Sequence, residues 1–208
     1  RQTLFDFRPS LRGAVARRLL PTRKPEGALT YLPLVGATAT AALRWAPLDD
    51  VVMGGTSESV IAEASGTAPM CFRGFVSSAN NGGFASQRTL NVNQPLDLSS
   101  FDGLEMRLRC PNGYRYKLAF RDDPGFDSVQ FCASFDTTKG ESQTVRLPWS
   151  SFVPVFRAKT LQDQAPDLRR FTSLQLALSK FEYDGDLNPN FAEGPFALEV
   201  EAIGSYRG

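Results

Sequence analysis

The sequence predicts an all-β sandwich. Short segments alternate apolar and polar side chains with a period of two, which places one set on a core face and the other on solvent. Turns rich in Gly, Pro and Asn separate these segments at close intervals. No apolar stretch of helical period is long enough to compete for the core. Sixteen Phe among 208 residues suit this reading, because flat rings pack across the pleated faces of strands.

The chain divides into a basic arm at 1–42 and a β-sandwich domain at 43–208. Residues 1–42 carry seven basic side chains against the two acids Asp6 and Glu26. Leu11, Val15 and Leu19 recur at helical spacing, so a short basic amphipathic helix around 10–20 is expected, ended by Pro21, Pro25 and Gly27. The composition is that of an organelle transit peptide, but the segment is read as the arm of a mature, processed protein. The bland alternative is a solvated charge run. The functional one is an arm whose Arg8, Arg12, Arg17 and Arg18 face a partner protein or make peripheral contact with a membrane.

From Trp45 the pattern is β. Trp45 to Gly55 ends in Asp49-Asp50 and Gly54-Gly55, a tight loop; neighbouring Asp side chains diverge, so a turn is favoured over a cation site. Asn80 to Arg88 holds Gly82-Gly83 before an aromatic strand and lacks the lysine and hydroxyl of a phosphate-binding loop. Period two puts Phe84 and Arg88 on one face. If Phe84 is inward, Arg88 needs an internal partner such as Asp49 or Asp50; otherwise it faces a ligand. Leu104, Met106 and Leu108 alternate with Glu105, Arg107 and Arg109. Asn112-Gly113 follows, and Tyr114 to Arg121 alternates again, which predicts a hairpin. Its polar side would carry Arg107 and Arg109 beside Arg115, Lys117 and Arg121.

Further strands are expected at Val129–Phe135, 144–147, Leu174–Leu178 and Phe196–Val200. Leu147 to Arg157 reads as a strand exit whose aromatics, Trp149 and Phe156, cap the core or anchor an interface. Residues 162–171 have room for one or two helical turns.

Composition excludes several functions. With no His, His-based triads, imidazole metal sites and the commonest general base near neutral pH are unavailable. Cys71, Cys110 and Cys132 are too far apart for a redox or zinc motif and read as buried small hydrophobes in a reducing compartment. The formal net charge is +1, so nothing draws the whole molecule to nucleic acid. Tyr114 and Tyr116 belong to the apolar set, not interleaved with the cations as base stacking requires. No apolar run approaches the ~20 residues of a membrane span. Asp122-Asp123 and the Asp184/Asp186 pair are more simply turn formers than a hydrolytic carboxylate pair. No cofactor or metal is expected.

Taken in order, several segments resemble a known family. They are Trp45, Asp50-x-x-Met53-Gly54-Gly55, Phe72-x-Gly74, Asn81-Gly82-Gly83-Phe84-Ala85-x-x-Arg88, Asp102-Gly103-Leu104, Tyr114-x-Tyr116-Lys117-Leu118, Leu147-Pro148-x-x-x-Phe152 and Gly194-Pro195-Phe196-x-Leu198. Together they resemble the complex I intermediate-associated protein 30 family from about Trp45 to Tyr206. The resemblance implies a jelly-roll, galactose-binding-like sandwich. It implies an assembly factor or auxiliary subunit that binds protein subunits of an organellar membrane electron-transport complex. That complex is respiratory complex I, on the matrix side of the mitochondrial inner membrane, or a photosystem at the chloroplast stroma or thylakoid surface. Some chloroplast relatives act on translation, so an RNA-associated expression factor is one alternative. A carbohydrate-binding module, suggested by the sandwich type, is the other. The family brings no catalytic residues. Its best-marked positions here are Asp50, Met53, Gly54, Gly55, Gly82, Gly83, Phe84 and Arg88, expected to shape one end of the sandwich. The chain departs from the family in the arm and in stretches around 159–167 and 184–190.

Overall fold

A computed structural model describes residues 30–36, 43–62 and 68–208. Among them, thirteen strands run in chain order: β1 Thr30–Val35, β2 Trp45–Pro47, β3 Glu58–Ala62, β4 Met70–Val76, β5 Phe84–Thr89, β6 Gly103–Arg109, β7 Arg115–Arg121, β8 Gln130–Asp136, β9 Ser142–Pro148, β10 Val153–Phe156, β11 Lys159–Thr160, β12 Ser173–Ser179 and β13 Gly194–Arg207. They form two antiparallel sheets. One has the order β3-β4-β13-β6-β9, with β1 also on β13; the other has the order β11-β10-β8-β7-β12-β5-β2. This is the expected jelly-roll sandwich of the galactose-binding-like type.

The alternation read from the sequence builds the core. Phe72, Leu104, Met106, Phe196, Leu198 and Val200 face inward from the six-stranded sheet; Tyr116, Leu118, Phe120, Phe131, Leu174, Leu176 and Leu178 meet them from the seven-stranded one. Phe72 touches Phe196 edge-on at 4.9 Å between ring centres and reaches Tyr116 across the sandwich at 6.4 Å. A register shift between Val200 and Ala202 bulges the long strand β13. The bulge restores inward facing at Ile203, and on one side β13 pairs first with β4, then with β1. Residues 30–35, drawn above as part of the arm, therefore belong to the sheet. The expected helix around 10–20 and the arginines at 8, 12, 17 and 18 lie outside the described residues.

Three expectations are corrected. Strands β6 and β7 do not form a hairpin. β6 lies between β13 and β9, β7 between β8 and β12, and Asn112-Gly113 crosses from one sheet to the other. The physical reason is that both strands have an apolar face, and packing those faces against each other buries more than pairing them edge to edge. The supposed basic face is consequently split. Arg107 and Arg109 sit on the outside of one sheet, beside Glu201 at 3.9 Å and Glu199 at 3.3 Å; Arg115, Lys117 and Arg121 sit on the outside of the other. Residues 162–171 form no helix.

Candidate binding site

One end of the sandwich is built on two buried carboxylates. After β2 the chain makes a single 3-10 turn, Asp50–Met53, closed by Gly54 at φ 90. Asp49 accepts hydrogen bonds from the Ser59 amide at 2.9 Å, the Ser59 hydroxyl at 2.6 Å and the Ser86 amide at 2.7 Å. Asp50 accepts from the Ser57 amide at 2.9 Å, the Ser57 hydroxyl at 2.7 Å, and the amides of Gly83 and Phe84 at 2.7 and 3.2 Å. The two side chains diverge, as neighbouring Asp must, but both do the same work. Ser57 and Ser59 lead into and lie on an edge strand of the six-stranded sheet; Gly83, Phe84 and Ser86 start the strand β5 of the seven-stranded one. The carboxylates thus staple the edge strand of one sheet to the start of β5, next to the edge strand of the other. Burial alone would raise the Asp50 carboxyl; the amides and hydroxyl around it, led by Gly83, outweigh that and hold it below the usual carboxylate range.

This geometry explains the glycine pairs. A Cβ on Gly55 would stand 2.3 Å from the Asp50 carboxyl carbon, and one on Gly82 would stand 2.4 Å from its Oδ2. Only a residue without a side chain lets the backbone close around the carboxylate.

The staple presents an unusual surface. Val51, Val52 and Met53 are 57, 71 and 67% exposed. Three consecutive large apolar side chains held in water by a rigid turn form a projecting apolar knob.

Val52 and Met53 also wall a cleft of about 690 Å³ that opens over the outer face of the seven-stranded sheet. Its floor carries Ser86, Lys117, Arg121, Gln130, Cys132, Val155, Gln175 and Ala177; Phe181, Glu182, Tyr183, Arg157 and Ala158 close the far side. Arg121 is only 7% exposed. Its Nη1 donates to Gln175 Oε1 at 3.1 Å, its Nη2 to Gln130 Oε1 at 3.3 Å, and its Nε has no hydrogen-bond partner. Burial, and then the neighbouring Arg88, push the guanidinium down to about 10. Lys117 is lowered by burial as well; its ammonium donates to the carbonyls of Phe181 and Glu182 at 2.6 and 2.7 Å. Burial pushes the Cys132 thiol up to about 12, against the pull of Lys117 and Arg121, so it serves as floor and not as a nucleophile.

The stretches around 159–167 and 184–190, expected from the sequence to be particular to this chain, are tied together beside this cleft, next to its lining residues Ala158 and Tyr183. Asp184 accepts from the Thr160 amide at 2.8 Å and the Thr160 hydroxyl at 2.6 Å, and its own amide donates to Ala158 at 3.2 Å. The paired loops form the wall opposite the knob.

The other sequence candidates fall as follows. Phe84 and Arg88 lie with Ser86 on the outer face of β5, opposite the inward Ala85, Gln87 and Thr89; Ser86 is buried there under the stapled end, and Phe84 and Arg88 are half-buried. Arg88 forms no ion pair with Asp49 or Asp50. Instead it donates to the Phe126 carbonyl at 3.1 Å and lies over the Phe126 ring at 4.5 Å. Met53, Gly54, Gly55, Gly82, Gly83 and Phe84 gather at the stapled end. Arg107 and Arg109 are on the opposite side of the molecule. Trp149 caps the core: its indole donates to Phe101 O at 2.7 Å and its ring meets Phe120 at 5.4 Å. Phe156 is half-buried beneath Arg157, 5.1 Å from its guanidinium. Sequence reasoning passed over Val52, Gln130, Gln175 and Tyr183. Only Val51-Val52-Met53, an apolar run inside a Gly/Asp-rich loop, offered a signal.

Comparison with known proteins agrees with this architecture. Residues 37–200 match the family described as Complex I intermediate-associated protein 30. An uncharacterized protein of Schizosaccharomyces pombe is 26% identical over 149 residues, covering 64% of this chain and 68% of that protein. Among solved structures, the family 11 carbohydrate-binding module of a Clostridium thermocellum cellulosomal cellulase superposes with a TM-score of 0.57 at 15% identity, over 86% of this chain and 95% of the module. A family 30 carbohydrate-binding module gives 0.54 at 12% identity, over 86 and 89%. At those identities the likeness is one of fold. The family match spans residues 37–200, most of the chain; the chain belongs to the complex I intermediate-associated protein 30 family.

Proposed function

We propose that the chain is a non-catalytic protein-binding domain that takes part in the assembly of respiratory complex I at the mitochondrial inner membrane. Family membership carries the complex I part of this reading. The exposed Val51-Val52-Met53 knob supports the protein-binding part, since a rigid apolar projection is the kind of anchor that a partner's pocket desolvates. The staple holds it in its bound shape beforehand, which spares ordering entropy on association. The two aspartates of the stapled end accept hydrogen bonds on both of their oxygens, an arrangement suited to holding shape. Nothing favours the photosystem or RNA alternatives. The carbohydrate alternative gains little from the cleft, because two of its three aromatic rings carry a cation on one face: Lys117 over Tyr183 and Lys180 over Phe181, at 4.5 and 5.0 Å.

The test is association. The native protein should co-sediment with complex I assembly intermediates from mitochondria. Val52→Asp and Met53→Asp should weaken that association while leaving the fold intact. A wild-type protein found only as a free monomer contradicts the reading.

A further inference from the structure

Resting on that reading, we propose that the cleft over the seven-stranded sheet receives an extended apolar segment of a partner protein and binds one acidic side chain of it on Arg121. The first observation is a charge without a counterion. Arg121 is more than nine-tenths buried, yet both acceptors it has are neutral amide oxygens and its Nε has none. Among the described residues it forms no ion pair. A guanidinium withdrawn from water is stable only with a hydrogen-bonded anion or at a standing free-energy cost. The chain has left that anion to be supplied from outside.

The second observation is that the carboxylates in the cleft are already engaged. Asp127 is held by Arg157, and Glu182 by Arg115 at 2.8 Å. Neither is free to serve Arg121, and both leave the floor electropositive, with Arg88 nearby adding to it. The third is the shape and polarity of the space. About 690 Å³ is the size of a side-chain-lined binding groove. Apart from Arg121, Lys117 and their amide and hydroxyl neighbours, the floor and near wall are apolar, from Ala177, Cys132 and Val155 to Val52 and Met53. A strand-like segment with apolar residues flanking one Glu or Asp matches that distribution. A sugar chain would need a platform of open ring faces, and cations sit over two of the cleft's three rings, Tyr183 and Phe181.

The experiment uses the full chain and an array of short, end-blocked peptides of varied apolar sequence, each made with a central glutamate and again with glutamine. The glutamate versions should bind at least about tenfold more tightly, the effect of one charge-assisted pair. Arg121→Gln should remove that preference, and Arg107→Gln, on the opposite sheet, should preserve it. Because Arg121→Gln could disturb the cleft, Gln175→Glu gives a second route: it supplies the missing carboxylate from within, should raise the melting temperature, and should also abolish the preference. Equal binding of glutamate and glutamine peptides, or a preference that survives either cleft variant, overturns the proposal. Arg121-dependent binding of oligogalacturonate or of phosphatidylglycerol vesicles, with no peptide bound, overturns it too. Those outcomes leave the complex I reading standing, which fails only if the wild-type chain does not sediment with assembly intermediates.

Discussion

Replacing Asp50 by Asn should destabilise the fold by about 3 kcal/mol with almost no change in volume. The wild-type Oδ2 accepts three donors and Oδ1 accepts one, the Ser57 amide at 2.9 Å. The least damaging amide orientation keeps its oxygen on the three donors and turns its NH2 against the Ser57 N–H. That leaves two donors facing each other, the Ser57 N–H and the new NH2, at roughly 1–3 kcal/mol for the Ser57 N–H alone, and changes three charge-assisted bonds into neutral ones, at roughly 0.5–1 kcal/mol each. The easier burial of a neutral amide offsets part of the loss, so the net is about 2–4 kcal/mol. Equilibrium denaturation followed by tryptophan fluorescence measures it as a shift of midpoint at constant slope.

The pH dependence gives a second reading of the same residue. The folded-state pKa of Asp50 lies below its ordinary value of 3.8. Its contribution is therefore present above that value and is lost as pH falls below it, through the folded-state pKa. The Asp50→Asn variant lacks this component and should lose stability less steeply over that window. An Asp50→Asn protein within about 0.5 kcal/mol of wild type at neutral pH, the range of an ordinary surface change, would refute the staple.

Gly55→Ala should be strongly destabilising alone and much less so on an Asp50→Ala background. The three atoms nearest its Cβ, at 2.3, 2.4 and 2.8 Å, all belong to the Asp50 carboxyl, so a double-mutant cycle should show coupling above about 1 kcal/mol. Trp149→Phe should cost about 1 kcal/mol in denaturation measurements by removing the indole hydrogen bond to Phe101 O. With iodoacetamide at mildly alkaline pH, half-buried Cys71 should be alkylated first. Buried Cys110 and Cys132 should react only as the protein unfolds, read by mass spectrometry. Val52→Asp should shift the denaturation midpoint by under about 0.5 kcal/mol, because the side chain is 71% exposed.

Most strands were legible because each of Leu104–Leu108, Phe131–Phe135, Leu174–Leu178 and Phe196–Val200 alternates cleanly, and alternation is a local property. Which sheet a strand joins is not local. Asn112-Gly113 between two alternating runs carries a hairpin signal, yet the chain uses it to cross the sandwich. The stapled end was visible as a set of glycines and aspartates but not as a mechanism, since Asp50 meets Ser57, Gly83 and Phe84 only through the fold. Phe84 misled as a guide to the core: in β5 the inward residues include Gln87, whose amide donates to Ser59 O at 3.0 Å. Arg121 alternated outward as expected. Its burial comes with the side chains of neighbouring strands, Gln130 and Gln175, whose placement beside it no period can reveal.

The most direct measurement is sedimentation of the native chain from solubilised mitochondria, wild type beside a Val52→Asp/Met53→Asp double variant of unchanged melting temperature. The expected result is wild-type protein in fractions with complex I assembly intermediates and the variant shifted to the position of free monomer. Wild-type protein at the monomer position, or a variant that sediments as wild type does, would contradict the proposal that this stapled apolar knob joins the chain to complex I assembly.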